Sequence, residues 1–253
     1  MPLTLTVLGC AGSTYDPDLR HPCSSYLLET LQTTLMLDCG FGSFASYLEN
    51  ARTTRLDAIF VSHAHHDHSF DIEAFVSFPS AWRDRPRVLA SRATIGALQL
   101  NTESNNVDVI VVEDGGEVDV ASFRVECSAT THQMETLAAH VSLGGSRLVY
   151  SSDTGPGWSP PPAFHRPDVA VLECTFDSRN ASSTPFHLDA EEVARLAESL
   201  DARTTLITHV PPRESGQIRV DIAKRSAPER EFLLAATGQR LLVEHSSEGD
   251  GYK

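Results

Sequence analysis

The chain has 253 residues, 41% of them hydrophobic, and its 34 acidic side chains against 20 basic ones give a formal net charge of −14. This length suits one large α/β domain or two small ones, and because no Gly/Ser-rich linker divides the chain, one domain is expected. The acidic excess argues against nucleic-acid binding, and no apolar run has the roughly 18 residues that a membrane span requires.

Short apolar or alternating runs predict strands through the first half of the chain. The predicted strands cover residues 3–8, Ser25–Glu29, 33–38, 57–61, 88–90 and 107–112. The second and third of these strands are expected to pair as a hairpin. The predicted helices of this half cover residues 44–50, Ile72–Ser77 and 94–100.

The second half continues with strands and one strongly amphipathic helix. Its predicted strands cover residues 123–127, 138–143, 147–151, Val169–Glu173, 205–208, 231–235 and 240–243. The last two are expected to close the fold as a terminal hairpin. The helix at 189–200 has Asp189 as its N-cap and Glu192 in the position that completes a capping box.

The order of these elements predicts an α+β fold. Strands come first, strands and helices then mix, and the order roughly repeats, which is typical of two facing sheets with helices outside them. We therefore expect a four-layer αββα sandwich over residues 1–243. The polar tail, residues 244–253, is expected to be disordered.

The segment that follows the predicted strand at 57–61 carries the strongest chemical signal. It reads SHAHHDH from Ser62 to His68. His63 and His65 are spaced to bind one cation, while Asp67 and His68 reach a second one beside it, and such ligands suit zinc and its first-row neighbours. A histidine-rich surface loop is the simpler alternative, but packed imidazoles gain little from one another without a metal. His66 occupies the variable place in the pattern and is not expected to bind.

Three later residues follow the ends of predicted strands and are also potential ligands. They are His132, Asp153 and His209. Taken singly, each has a simpler explanation, as a surface or core histidine or as an aspartate that forms a turn. Each zinc of a two-metal site needs about four ligands, more than the first cluster supplies. The three residues together with that cluster therefore predict a site with two metals.

The order and spacing of these motifs resemble the metallo-β-lactamase superfamily of metallohydrolases, up to about residue 243. Within it, the pattern is most similar to the RNase Z-like and cyclic-nucleotide phosphodiesterase branch. The segments GCAGS from Gly9 and LDCG from Leu37 also resemble that branch.

The resemblance implies two divalent metal ions, with zinc expected and manganese or iron as alternatives. One metal would be bound by His63, His65 and His132. The other would be bound by Asp67, His68 and His209, with Asp153 bridging the two. Members of this branch are often dimeric, so a homodimer is one state that the resemblance allows.

The resemblance also implies a helper for the leaving group, which would be His187 held by Glu173. Two residues near this pair depart from the RNase Z-like pattern. Leu172 occupies a position where a histidine is usual, and Asp189 occupies one where a threonine is usual. A simpler explanation of His187 is a residue before a helix, and a simpler explanation of Glu173 is a solvent-facing strand end.

The substrate expected from the resemblance is a small anionic phosphodiester such as a cyclic nucleotide. Members that process tRNA carry a long arm that grips it, whereas the stretch between His132 and Asp153 has room for little beyond a β-hairpin. Processing of tRNA 3′ ends is therefore the less favoured alternative. Hydrolysis of a lactone or thioester stays open, as does a metal-holding regulatory protein without turnover.

The expected reaction is hydrolysis by a hydroxide that bridges the two metals. Asp67 would orient this hydroxide or accept its proton, and His187 would protonate the departing oxygen. The remaining histidines at positions 21, 140, 165 and 245 are expected to have no role in the reaction. His21 is the candidate among them for the rim of the cleft, because it follows the first strand.

The five cysteines are scattered and show no Cys-x-x-Cys spacing. They are Cys10, Cys23, Cys39, Cys127 and Cys174. This usage is typical of buried thiols in a reducing cytoplasm rather than of disulfides or a thiolate zinc site. No charged leader precedes the first predicted strand, so a secretion signal is not expected.

Overall fold

The computed structural model describes residues 2–12, 21–53, 55–77, 86–100, 108–178 and 185–245. The strands are β1 Leu3–Gly9, β2 Ser25–Glu29, β3 Thr34–Leu37, β4 Ala58–Val61, β5 Arg87–Ala90, β6 Asp108–Val111, β7 Glu117–Val120, β8 Phe123–Ala129, β9 Leu137–Leu143, β10 Ser146–Tyr150, β11 Val169–Glu173, β12 Thr204–Thr208, β13 Glu231–Leu234 and β14 Arg240–Val243. The helices are α1 Ser43–Asn50, α2 His66–Ser69, α3 Ile72–Ser77, α4 Arg92–Ala97, α5 Ala190–Leu200 and α6 Gly216–Ser226.

The strands form two sheets of seven. The first has the order β14-β1-β2-β3-β4-β5-β6, and the second has the order β13-β12-β11-β10-β9-β8-β7. The hairpin predicted from the sequence is present, since β2 and β3 pair antiparallel. Neighbours from β3 to β6 run parallel, as do neighbours from β10 to β13.

Three buried clusters hold four layers together. Inward side chains of both sheets, among them Leu5 and Leu206, form the central cluster. The outer face of the first sheet packs against α1 and α3, where Phe75 is fully buried. The outer face of the second sheet packs against α5 and α6 through small residues such as Ala197 and Ala223. The predicted αββα sandwich is therefore confirmed.

The predicted terminal hairpin is wrong. β13 pairs in parallel with β12 in the second sheet, whereas β14 pairs antiparallel with β1 in the first sheet. Each strand thus completes the edge of a different sheet. This arrangement satisfies backbone groups of β1 and β12 that a local hairpin would leave unpaired.

Three elements were not predicted from the sequence, namely β7, α2 and α6. Parts of some predicted segments lie outside the described residues: Ser13 of the GCAGS loop, the first residue of the strand at 107–112, and residues 246–253 of the tail. None of the helices in the described parts of the chain combines the length and the apolar character needed to cross a bilayer.

The parallel strands determine where polar side chains meet. The ends of β3 and β4 in the first sheet, and of β10, β11 and β12 in the second, are each followed by potential ligands or their partners. Because the carboxyl ends of parallel strands lie at one edge of a sheet, these side chains converge at the same end of the sandwich.

Candidate metal centre

The histidine cluster follows β4 and enters a short helix. His63 is fully buried, and His65 is the extended N-cap residue of α2. The single turn of α2 then directs Asp67 and His68 toward the interior while His66 stays exposed and packs beside Phe70. One tight segment thus delivers four potential ligands, because its backbone changes from extended to helical between His65 and His66.

Three histidines and one carboxylate form the first group. The Nδ1 atom of His65 lies 3.0 Å from His63 Nε2 and 3.2 Å from His132 Nε2. Asp153 Oδ2 lies 3.6 Å from His63 Nε2 and 3.8 Å from His132 Nε2. These four ligand atoms fall within 4.8 Å of one another, a spacing that could hold one metal ion.

A second group lies on the other side of Asp153. His209 Nε2 is 3.1 Å from Asp67 Oδ2 and 3.2 Å from Asp153 Oδ1. His68 Nε2 is 3.1 Å from the same Oδ1 atom. The two carboxylate oxygens of Asp153 therefore face different groups, which is the arrangement that a bridging ligand requires.

Each histidine ring has one nitrogen that faces away from the centre. The hydrogen bond that this nitrogen makes shows which nitrogen is left to bind a metal. His68 Nδ1 is 2.6 Å from Asp38 Oδ2, and His132 Nδ1 is 3.1 Å from the carbonyl oxygen of Phe186. Both acceptors require a protonated Nδ1, so Nε2 is the nitrogen of each ring that faces the centre and could bind a metal.

The rings of His63 and His209 follow the same rule through hydroxyl groups. Ser62 Oγ donates to Asp38 and so accepts from His63 Nδ1, at 3.0 Å. Thr175 Oγ1 donates to Glu173 Oε2 and so accepts from His209 Nδ1, at 2.8 Å. Outer partners of this kind orient metal-binding histidines and fix their tautomer.

Two atoms at the middle of the cluster are buried without a hydrogen bond. They are His68 Nε2 and Asp153 Oδ1. A buried polar atom without a partner is unfavourable, and a cation between these atoms would satisfy both. Imidazole nitrogens and ionised carboxylates, both present here, are the ligand types that zinc and related divalent metals prefer. The residues of the site thus fit the metals that its motifs imply.

The protonation of the cluster differs between its two halves. Burial lowers the pKa of His63 well below its ordinary value, and burial likewise lowers the pKa of His65 and His132. Burial opposes protonation of His209 as well, but Asp153 and Asp67 prevail and raise its pKa to about 9. The second group therefore holds protons that a metal would displace.

The carboxylates of Asp153 and Asp67 stay ionised. Burial alone would raise the pKa of Asp153, but His209 and His68 lower it well below its ordinary value. The pKa of Asp67 is likewise lowered against burial, mainly by the charge of His68 and the hydrogen bond with His209. Ionised carboxylates are ready to bind a cation without losing a proton.

His187 and Glu173 form the predicted pair. His187 Nδ1 lies 2.9 Å from Glu173 Oε1, and Glu173 is buried at the end of β11. The ring of His187 stacks on His209 with centroids 5.6 Å apart and lies 5.1 Å from the ring of His132. Burial lowers the pKa of His187, but the bond with Glu173 outweighs it and the net shift is upward.

The structure brings the seven predicted ligands into one cluster with His187 beside them. Two histidines that were predicted to have no role in the reaction lie elsewhere. His140 is buried away from this cluster, with Nδ1 2.7 Å from Glu126. His21 lines a pocket that also contains Thr208 and Val210, the neighbours of His209. All five cysteines are free thiols, and Cys10 alone is less than fully buried.

Sequence reasoning assigned no role to Asp38, Tyr150 or Thr175. Asp38 accepts from His68 and from the hydroxyl of Tyr150, at 2.6 Å in each case. Thr175 contacts Glu173 and His209. The available signal was a position at a strand end, similar to that of Asp153 and His209: Asp38 is the last residue of the predicted strand at 33–38, and Thr175 lies two residues after the strand that ends at Glu173.

Residues 33–210 match the family described as the beta-lactamase superfamily domain. The chain is 25% identical over 215 residues to the probable metallo-hydrolase YhfI of Bacillus subtilis, covering 83% of this chain and 87% of that protein. It is 24% identical over 310 residues to ribonuclease Z of Haloarcula marismortui, covering 96% and 98%.

Solved structures share the fold. The crystal structure of YhfI, described as a metallo-beta-lactamase fold protein, superposes with a TM-score of 0.84 at 23% identity and covers 95% of this chain and all of that one. A diphosphatase of the PhnP family superposes with a TM-score of 0.73 at 20% identity, covering 94% and 97%. At these identities the structural likeness concerns the fold alone.

Proposed function

The chain belongs to the beta-lactamase superfamily of metallo-hydrolases, in its RNase Z-like branch, and on this basis we propose that it hydrolyses a small phosphodiester at two divalent metal ions. A cyclic nucleotide is the favoured substrate. The observation that carries the proposal is Asp153, whose two oxygens face separate groups of ligands.

Divalent cations at these groups would lower the pKa of a water molecule and offset the negative charge that develops on the scissile group. The residues of the chain supply the rest. His63, His65 and His132 would hold one cation, and Asp67, His68 and His209 would hold the other. Asp67 is the ligand with a second task, because an ionised carboxylate near the water can orient it or accept its proton.

The pair of His187 and Glu173 supports phosphorus over an acyl carbon. Glu173 accepts a hydrogen bond from the Nδ1–H of His187, which orients the imidazole, and the raised pKa of His187 favours the protonated ring. With 18% of its side chain exposed, His187 can reach a bound substrate. A protonated imidazole there would give its proton to a poor leaving group such as an alkoxide.

One relative points to phosphate chemistry, since it is named a ribonuclease Z. The net charge of −14 favours a small anion held by the metals over a large polyanion such as tRNA, which usually meets a basic surface. The experiment must distinguish hydrolysis of a small phosphodiester from cleavage of tRNA, lactones or thioesters.

The test is a turnover panel on the purified protein loaded with zinc or manganese. The panel contains cyclic mononucleotides, bis-p-nitrophenyl phosphate, a precursor tRNA and a homoserine lactone. We expect the highest kcat/KM on a cyclic mononucleotide, loss of turnover on chelation and recovery on adding metal. Preference for the lactone or the tRNA would contradict the proposal, and metal binding without any turnover would indicate a regulatory protein.

A matched pair of variants links turnover to the site. His66 and His68 stand two positions apart, but His66 is exposed and His68 is buried against Asp38 and Asp153. His68→Ala should abolish turnover and lower the metal content. His66→Ala should keep both, because its ring points away from the cluster.

A further inference from the structure

One histidine of the metal centre differs from the others in the nitrogen that faces the ligand cluster. The Nδ1 atom of His65 faces inward, since it lies 3.0 Å from His63 Nε2 and 3.2 Å from His132 Nε2. The other histidine ligands present Nε2 instead. A nitrogen that binds a metal carries no proton, so metal binding through Nδ1 places the proton of the His65 ring on Nε2.

His65 also differs from the other histidine ligands in its exposure. The side chains of His63, His68, His132 and His209 are no more than 2% exposed. His65 is only partly buried, and its outer nitrogen contacts an exposed side chain rather than a buried one. That side chain is Gln133, whose Nε2 atom lies 3.3 Å from His65 Nε2. The outer partner of this ligand is therefore at the protein surface.

Gln133 lies in the loop that joins β8 to β9, and this loop is fixed at its base. The N–H of Thr130 donates to the carbonyl oxygen of Thr136, which closes the loop. The N–H of Leu137 donates to the carbonyl oxygen of Ser62, so the loop is docked on the segment that carries the histidine cluster. An exposed side chain on this loop thus has a defined position over the metal centre.

Two consecutive residues of the loop contact the two nitrogens of the His65 ring. His132 contacts Nδ1, and Gln133 contacts Nε2. The main chain of His65 is held separately, because its carbonyl oxygen accepts from the N–H of His68 and from Ser69 Oγ. Since α2 fixes this backbone, the freedom left to His65 is rotation of its ring, and Gln133 is placed to restrict it.

The orientation of the glutamine amide determines whether this contact favours a metal. The amide has an acceptor oxygen and a donor nitrogen on a planar group, and half a turn exchanges their positions with little change in shape. With Oε1 toward His65, the amide accepts from the Nε2–H and leaves the Nδ1 lone pair for a cation. With Nε2 toward His65, the amide donates to the ring, which puts the proton of a neutral imidazole on Nδ1 and opposes metal binding.

We propose that Gln133 is a positioning residue that selectively strengthens metal binding at the first group of ligands, an inference that rests on the metal site of the proposed function. Its amide oxygen accepts from His65 Nε2 and keeps His65 Nδ1 directed at the cation. The second group does not depend on Gln133, because its two histidine rings are oriented by Asp38 and Thr175.

The expected size of the effect follows from the exposure of the contact. Removing an outer partner of a metal-binding histidine usually lowers metal affinity by about 10- to 100-fold. Water can accept the proton of an exposed imidazole, so part of the lost hydrogen bond is replaced. Water does not hold the plane of the ring as a side chain on a docked loop does. We therefore expect a loss near the lower end, about tenfold.

The test measures zinc affinity by competition with a chromophoric chelator, in the absence of any substrate. Gln133→Leu removes both polar atoms of the amide and should weaken one of the two zinc sites about tenfold. Gln133→Glu keeps an acceptor beside His65 and should bind zinc at least as tightly as the native protein does. The control is Gln32→Leu, the same substitution on the exposed turn between β2 and β3, which should leave both zinc sites unchanged.

A double-mutant cycle shows whether Gln133 acts through His65. In a His65→Ala background, Gln133→Leu should change neither the number nor the affinity of the zinc ions that remain bound, because no ring is left to orient. A loss of about tenfold in that background as well would indicate general damage to the loop and would overturn the proposal.

The outcomes separate this role from the proposed function. Selective weakening in Gln133→Leu with recovery in Gln133→Glu supports the role even if no phosphodiester is hydrolysed. Native zinc affinity in Gln133→Leu, equal weakening of both zinc sites, or weak binding by Gln133→Glu would overturn the role and leave the hydrolase standing. A native protein that binds no zinc would overturn both.

Discussion

Asp38 accepts hydrogen bonds from three side chains at once, those of Ser62, His68 and Tyr150. Its backbone is left-handed, with a φ of 58°, so the carboxylate turns back under the metal centre as β3 ends. These bonds fix the ring of His68 with its Nε2 atom toward Asp153. Asp38 is therefore a positioning residue, acting on the site through His68.

Asp38→Asn should weaken metal binding about 10- to 100-fold, the usual effect of removing an outer partner of a metal-binding histidine. Asparagine tolerates left-handed backbone, so the fold should survive. Equilibrium dialysis with zinc measures the change. Tyr150→Phe keeps the bond between Asp38 and His68 and should have a smaller effect. Unchanged affinity in Asp38→Asn would show that His68 needs no such partner.

His187→Ala should reduce kcat far more on phosphodiesters with poor leaving groups than on activated nitrophenyl esters. The reason is that only a poor leaving group needs a proton from the imidazole. Glu173→Gln should change kcat in the same direction, since it removes the charge that favours protonation of His187. Steady-state kinetics on both substrate types measures this, and equal losses on both would contradict the assigned role.

At the scale of elements, α5 and α6 support the site from outside the second sheet. The N-cap of α5 is Asp189, which lies two residues after His187 and forms the predicted capping box with Glu192. α6 carries Arg219, whose Nε and Nη2 atoms donate to the carbonyl oxygens of Cys174 and Thr175. The hydroxyl of Thr175 in turn contacts His209, so the position of α6 is transmitted to the metal centre.

Arg219→Met should lower the free energy of unfolding by at least about 2 kcal/mol, because two buried carbonyl groups lose their donors. Urea denaturation of the metal-free protein measures the loss. Arg225→Met, on an exposed position of the same helix, is the control and should change stability by less than about 0.5 kcal/mol. Equal effects of the two substitutions would show that the buried guanidinium has no special importance.

The same two helices show where sequence patterns succeed and fail. α5 was predicted because its cap and its apolar stripe agree. α6 was missed because Ile218, Val220 and Ile222 alternate as they would in a strand. Burial of Val220 and Ile222 against the second sheet stabilises the helix instead. Tertiary packing thus overrides a local pattern, and no local pattern contains that information.

The site itself was more predictable than the elements around it. His132, Asp153 and His209 each follow a strand. Strand ends converge in this kind of fold, and their convergence does not depend on the conformation of the loops. The partners of the ligands were less predictable, because Asp38 and His68 are 30 positions apart. Which hydroxyl or carboxylate meets the far side of each ring depends on the packing of two sheets.

At the scale of the whole molecule, metal binding should stabilise the fold in a pH-dependent way. The pKa of His209 in the folded protein is raised to about 9, so its proton stabilises the metal-free protein below the ordinary value of about 6.5. That stability is lost as pH rises through 9. Metal competes with the same proton and therefore binds better as pH rises.

The difference in Tm between metal-loaded and metal-free protein should therefore widen from pH 6.5 to pH 9. Differential scanning calorimetry across this range measures it. In His209→Asn the metal-free protein should lose part of its pH dependence over the same interval, and the raised pKa of His187 leaves a remainder. A constant difference in the native protein would mean that no proton is exchanged for metal at this position.

The pairing of β14 with β1 sets Val243 opposite Leu3. β14 lies far from β1 along the sequence, so the outer edge of β1 stays uncovered until β14 has folded onto it. Until then, β1 can pair only with β2, and its other side offers free backbone groups to any passing strand. This topology therefore exposes an edge of β1 to intermolecular pairing until folding is nearly complete.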